Sequence, residues 1–80
     1  MKVEYTEGAL EDLAKMPKRF ADQITRKIVR LEHGFAGDIK RLQGGDAGYR
    51  LRSGNFRILF DVEGGMILIQ KIGNRKDIYD

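Results

Sequence analysis

Eighty residues, 41% hydrophobic and 34% charged, with a net charge of +3, describe one small domain with a thin core, since a chain this short buries only about 60 to 65% of the surface its unfolded form exposes. The lack of cysteine excludes a disulfide framework, a thiolate metal site and a cysteine nucleophile, and a single histidine, His33, excludes an all-histidine metal site. No run of about 18 apolar residues is present and the N-terminus lacks the apolar stretch of a signal peptide, so the expectation is a cytoplasmic protein with no membrane partner.

Residues 1–5 alternate as a short strand with Val3 and Tyr5 on one side. Thr6 then fits a helix N-cap, with Glu7 in the first turn where the helix dipole favours an acid. The first helix is predicted over Glu7–Lys15, with Ala9, Leu10, Leu13 and Ala14 at helical spacing. Pro17 suits the first turn of a second helix, in which Phe20, Ile24, Ile28 and Leu31 form one apolar stripe and Gly34 serves as the C-cap.

After a loop rich in Gly and Asp the period changes to two. Tyr49, Leu51 and Ser53 alternate with Arg50 and Arg52; Gly54-Asn55 is a two-residue hairpin turn; Phe56, Ile58, Phe60 and Val62 alternate with Arg57, Leu59 and Asp61. Gly64-Gly65 marks another turn, and the nearly continuous apolar run 66–72 reads as a central strand covered on both faces, ended by Gly73. The register of that last pair stays open. The order β-α-α-β-β-β predicts an α+β fold, a helical hairpin on one face of a mostly antiparallel four-stranded sheet, as a single domain over residues 1–80.

The basic excess is confined to the second half. Residues 1–39 hold seven Lys/Arg and seven Asp/Glu, whereas residues 40–80 hold eight and five. A tight turn at Gly54-Asn55 sets Ser53 opposite Phe56, Arg52 opposite Arg57, Leu51 opposite Ile58, Arg50 opposite Leu59 and Tyr49 opposite Phe60. One face is then apolar, for the helices, and the other gathers Arg50, Arg52 and Arg57. Like charges opposed across strands cost roughly 0.2 to 1 kcal/mol per pair. An anion held between them offsets that cost, and the planar guanidinium fork suits phosphate. Solvation of the face, or pairing with Asp61 or Glu63, is the competing explanation. Arg75, Lys76 and Tyr79 follow Gly73 and return to the edge of the same face.

Other signals have simpler explanations. His33 fits a helix end, where the dipole favours it. Ser53 has no histidine partner, Gly44-Gly45 and Gly64-Gly65 lack the Lys-Ser/Thr of a phosphate loop, and Asp61, Glu63 and Asp77 lack metal-ligand spacing. No metal and no cofactor are expected.

The run 48–62, Gly-Tyr-Arg-Leu-Arg-Ser-Gly-Asn-Phe-Arg-Ile-Leu-Phe-Asp-Val, followed by Ile72-Gly73-Asn74-Arg75-Lys76-Asp77-Ile78-Tyr79, resembles the RelE branch of the RelE/ParE toxin superfamily. The similarity extends over the chain, and its specific part lies in the last forty residues. The resemblance implies a toxin of a toxin-antitoxin pair, silenced by a cognate antitoxin. Such toxins enter the ribosomal A site and cut mRNA without a metal, the ribose 2′-hydroxyl attacking the neighbouring phosphate to leave a cyclic phosphate. It assigns Arg57 to stabilising the phosphate, Arg75 to the phosphate or leaving group, and Tyr79 to stacking on or orienting the RNA and to proton movement. Arg50 stands where relatives often have lysine, and Asn74 where many have histidine or lysine. Because arginine stays protonated, Arg50 is assigned to electrostatic stabilisation. Lys40, Arg41, Arg52, Asn74 and Lys76 complete the expected RNA contacts. The implied partners are the antitoxin and the ribosome with its mRNA, with DNA reached only through an antitoxin complex. The alternatives are a ParE-like inhibitor of DNA gyrase and a toxin homologue that binds antitoxin without catalysis.

Overall fold

The computed structural model describes residues 1–34, 37–44 and 47–78. Its elements are β1 (Lys2–Tyr5), α1 (Glu7–Lys15), α2 (Lys18–Gly34), β2 (Asp38–Arg41), β3 (Tyr49–Ser53), β4 (Phe56–Glu63) and β5 (Met66–Asn74). The α+β class and the helical hairpin are as expected, but the sheet has five strands in the order β1-β5-β4-β3-β2. The additional strand, β2, lies where a loop was expected. Its sequence Asp-Ile-Lys-Arg carries one apolar residue. Such a segment has no strand signal of its own, and it becomes one only by pairing as an edge with β3.

Local chemistry explains the helix starts. Thr6 sits in the extended region with its Oγ1 accepting from the Ala9 amide at 3.1 Å. The same hydroxyl donates to the Gln70 carbonyl at 3.1 Å, so this cap also ties α1 to β5. Pro17 stands just ahead of α2 and its carbonyl accepts from the Phe20 and Ala21 amides. Gly34 is the last residue of α2.

The core lies between the helices and one sheet face. Ile24, Ile28 and Leu31 of α2 and Ala9 of α1 pack with Leu51, Ile58, Phe60, Ile67, Ile69 and Ile72. Each fully buried Ile or Leu contributes about 1.5 to 3 kcal/mol of transfer free energy. Leu10 of α1 departs from the expected stripe and is 53% exposed, because the short helix presents only its Ala9 and Leu13 edge to the sheet.

β5 runs parallel to β1 and antiparallel to β4. Phe60 faces Ile69 while Leu59 faces Lys71, so Gln70 is the extra residue of a β-bulge. The bulge explains the apolar spacing. Ile67 and Ile69 are two apart and Ile72 is three further on, yet all three are buried in the core. Asp12 of α1 braces the irregular stretch, its Oδ2 accepting from the Ile72 amide at 2.9 Å. The other face of β5 is not covered as expected, since Met66, Leu68 and Gln70 are half-exposed and Lys71 is exposed. Among the described residues no helix is long and apolar enough to cross a membrane.

Candidate functional site

The β3–β4 hairpin has the predicted register at all five pairs, Ser53 with Phe56 through Tyr49 with Phe60. Arg50, Arg52 and Arg57 therefore share the sheet face turned away from the helices. Pairing with β2 and β5 extends this face into two rows. One runs Asp38, Arg52, Arg57, Gly73; the other runs Lys40, Arg50, Leu59, Lys71.

The guanidiniums are not equivalent. Arg52 Nε meets Asp38 Oδ2 at 2.6 Å, with both side chains more than half exposed. This partner differs from the acids considered from sequence, because β2 was read as loop. Asp61 is engaged elsewhere, accepting from the Gly48 amide at 2.7 Å and from the Gln70 side-chain amide at 2.8 Å. Arg57 folds back over the turn, its Nη1 donating to the carbonyls of Gly54 and Phe56 at 2.9 Å each. Its pKa is lowered, by desolvation first and then by the charges of Arg50, Arg52 and Arg75, against which Asp38 acts in the opposite sense. Arg57 thus feels three other guanidiniums and one carboxylate. A phosphate placed here would relieve that repulsion while accepting paired hydrogen bonds.

A small apolar cluster on the same face anchors the C-terminal segment. Leu59, Ala47 and Ile78 are buried together, with Leu42 against them. β5 continues through Gly73, which was expected to end it, and pairs it with Arg57. A Cβ at Gly73 would come within 3.1 Å of Ile78 Cδ1, so glycine leaves the space that Ile78 occupies. The turn between them is tied at both ends: the Arg75 amide donates to the Asn55 carbonyl at 2.8 Å and the Asp77 amide to the Asn74 carbonyl at 2.8 Å. Arg75 is in this way carried beside the hairpin turn.

Of the residues singled out from sequence, Arg50, Arg52, Arg57 and Lys40 share the outer face by register, and Arg75 joins them electrostatically. Arg41 does not. It pairs with Tyr49, whose row belongs to the helix side of the sheet, because alternation along β2 turns successive residues to opposite faces. Asn74 pairs with Phe56 on that same side, and its Oδ1 accepts from the Lys76 amide at 3.1 Å, a local turn contact. Lys76 is exposed on the turn. Tyr79 lies outside the described residues. Sequence reasoning missed Asp38 and Lys71. Finding the first required recognising β2, and finding the second required the bulge that sets its register.

The comparisons with known proteins agree with this arrangement. The family model described as the ParE toxin of a type II toxin-antitoxin system, parDE, matches residues 3–79. Toxin RelE3 of Methanocaldococcus jannaschii is 32% identical, over 100% of this chain and 97% of the relative. Putative toxin RelE1 of the same organism is 35% identical, over 96% and 92%. Among solved structures, a RelB-RelE antitoxin-toxin complex from Methanococcus jannaschii superposes with a TM-score of 0.77 at 29% identity, covering 95% of this chain and 94% of that one. A match that takes in both helices, the arginine hairpin and the C-terminal turn leaves no part of the described fold unaccounted for, and the chain belongs to the ParE toxin family of type II toxin-antitoxin systems, as a toxin of the RelE type.

Proposed function

We propose that this toxin is a ribosome-dependent mRNA endonuclease that stops translation in the cytoplasm, acting as one toxin domain over residues 1–80. The observation that carries the reading is that the hairpin register sets Arg50 and Arg57 on one face and the C-terminal turn holds Arg75 beside the hairpin tip, with a single carboxylate among the charges that reach Arg57. In-line attack of a ribose 2′-hydroxyl on the adjacent phosphate builds negative charge on the non-bridging and leaving oxygens. Fixed guanidiniums stabilise that charge without reorganising at the moment of reaction. Arg57 is assigned to the phosphate, Arg75 to the phosphate or departing oxygen, and Arg50 and Lys40 to the flanking backbone. Tyr79 keeps the stacking and proton-moving role that the resemblance implies. None of the arginines serves as the base, since each remains protonated at working pH. A cognate antitoxin is the proposed silencing partner, by analogy with the relative seen as a RelB-RelE complex.

A second reading, inhibition of DNA gyrase through protein contacts, is favoured by the ParE description of the matching family model and by arginine at position 50. Mapping mRNA 5′ ends in a translating extract separates the two. New ends that require programmed ribosomes and fall by more than about tenfold with Arg75→Ala or Arg57→Ala support the nuclease, in line with the cost of removing one oxyanion donor. Intact mRNA and continuing translation, with replication blocked in cells, would move the assignment to gyrase.

A further inference from the structure

The opposite side of the arginine hairpin holds a cleft of about 330 Å³ between the N-terminal half of α2 and the Gly54-Asn55 turn. Phe20 and Phe56 form its aromatic wall, with ring centroids 5.3 Å apart and planes inclined by 48°. Arg19 lies over one face of the Phe20 ring, its guanidinium carbon 4.7 Å from the centroid, and leaves the rest of the wall to the cleft. Gln23, Asn55 and Asn74 contribute amides to the lining, and Ser53, only 2% exposed, contributes a hydroxyl with no hydrogen-bond partner among the described residues. Among the described residues, none that lines the cleft is charged.

We propose that this cleft is a nucleobase subsite, which takes the base of a nucleotide whose phosphate is held by Arg57 and Arg75. The proposal rests on the RNA reading above and adds a second recognition element to it. Three features select a base. A volume of this size lies at the small end of ligand pockets. Phenyl rings offer the stacking surface that any base can use. Side-chain amides present donors and acceptors together, as a base edge requires, whereas an aliphatic side chain would leave them unpaired.

Position supplies the link to the arginines. The Gly54-Asn55 turn is a wall of the cleft and also their anchor, since Arg57 Nη1 donates to Gly54 O at 2.9 Å and the Arg75 amide donates to Asn55 O at 2.8 Å. A strand crossing the hairpin tip therefore meets cations on one side and the uncharged aromatic cleft on the other. Charge holds the backbone at the first, and stacking with amide contacts discriminates among bases at the second.

The test is a fluorescence anisotropy titration with short single-stranded RNAs and with the same strands carrying abasic sites, using wild type, Phe20→Leu, Gln23→Ala and Arg57→Ala. Phe20→Leu keeps apolar packing, Gln23 is exposed, and thermal melts check folding. Base-bearing strands should bind wild type more tightly than abasic ones. Phe20→Leu should lose about five- to tenfold on base-bearing strands, the lower end of the effect of one stacked base because leucine keeps some apolar contact, and be unchanged on abasic strands. Gln23→Ala should reduce the preference among bases, and Arg57→Ala should weaken both kinds of strand together. Equal binding of base-bearing and abasic strands by wild type would overturn the subsite while leaving the RNA reading intact. So would wild-type behaviour of Phe20→Leu and Gln23→Ala, or a loss by them confined to the antitoxin complex. Absence of binding to either strand by wild type would also overturn the subsite, while the RNA reading stands or falls separately on ribosome-dependent cleavage in the translating extract.

Discussion

At the scale of single residues, Asp38 is the side chain whose removal is most informative. It neutralises Arg52 at 2.6 Å, and its charge is also felt at Arg57. A phosphate entering the site competes with that carboxylate. Asp38→Asn is therefore expected to raise RNA affinity by about two- to fivefold, while stability changes by less than about 1 kcal/mol, as for other exposed ion pairs. Anisotropy and urea denaturation on the same samples check both halves, and weaker RNA binding by the variant would contradict the assignment. Tyr5 makes a separate prediction. Its phenol pKa is raised, first by burial and then by the charge of Glu32. A folded-state pKa above the unfolded one contributes stability that is complete below the unfolded value, about 10, and is lost as pH rises through the folded value. Tyr5→Phe should flatten the alkaline fall of the urea midpoint between about pH 9 and 12. Equal alkaline losses in both proteins would show that Tyr5 does not govern it.

At the scale of elements, the β5 bulge does most to orient the site. An extra residue at Gln70 keeps Ile72 in the core and turns Lys71 and Gly73 outward, beside Leu59 and Arg57. Asp12 holds this irregular stretch through the Ile72 amide. Asp12→Ala leaves that amide without its charged acceptor and is expected to cost about 1.5 to 3 kcal/mol in urea denaturation. For a domain of this size each kcal/mol corresponds to about 4 to 8 °C in Tm. A stability loss below about 0.5 kcal/mol would mean that the bulge is held by β4 and β1 alone. The bulge was not legible beforehand because a run such as Met-Ile-Leu-Ile-Gln-Lys-Ile pairs acceptably in either of two registers. The hairpin before it was legible, because Gly54-Asn55 admits a two-residue turn and Ser53-to-Phe56 pairing then propagates along both strands.

At the scale of the molecule, the outer sheet face is electrically divided. Lys40, Arg50, Arg52, Arg57 and Lys71 lie toward the Gly54 turn with Asp38 as their one carboxylate in those rows, and Asp61 and Glu63 lie toward the Gly64 turn with Lys2 beside them. The net charge of +3 understates the local field that this division creates. RNA binding should weaken with salt, with a log–log slope of about −2 to −3, the value for three or four single-strand phosphates at about 0.7 each. Arg57→Ala should reduce the slope by about 0.7. A slope near zero, measured by anisotropy between low and moderate salt, would contradict binding through this face.

The sequence by itself determined the helical hairpin, the α+β class, the β3–β4 register and the gathering of Arg50, Arg52 and Arg57 on one face. Each of these follows from local chemistry: a cap at Thr6, an apolar stripe through Ile24, Ile28 and Leu31, strict alternation, and a turn that admits one pairing. Only the tertiary structure decided that Asp38–Arg41 is a strand, that Asp38 pairs with Arg52, that Arg41 and Asn74 fall on the helix side, and that Ile78 folds over Gly73. In all four cases the partner is supplied by another segment of the chain. An edge strand with one apolar residue, a charge pair across strands and a side chain over a glycine are stabilised only after those segments meet, and local periodicity carries no record of that meeting.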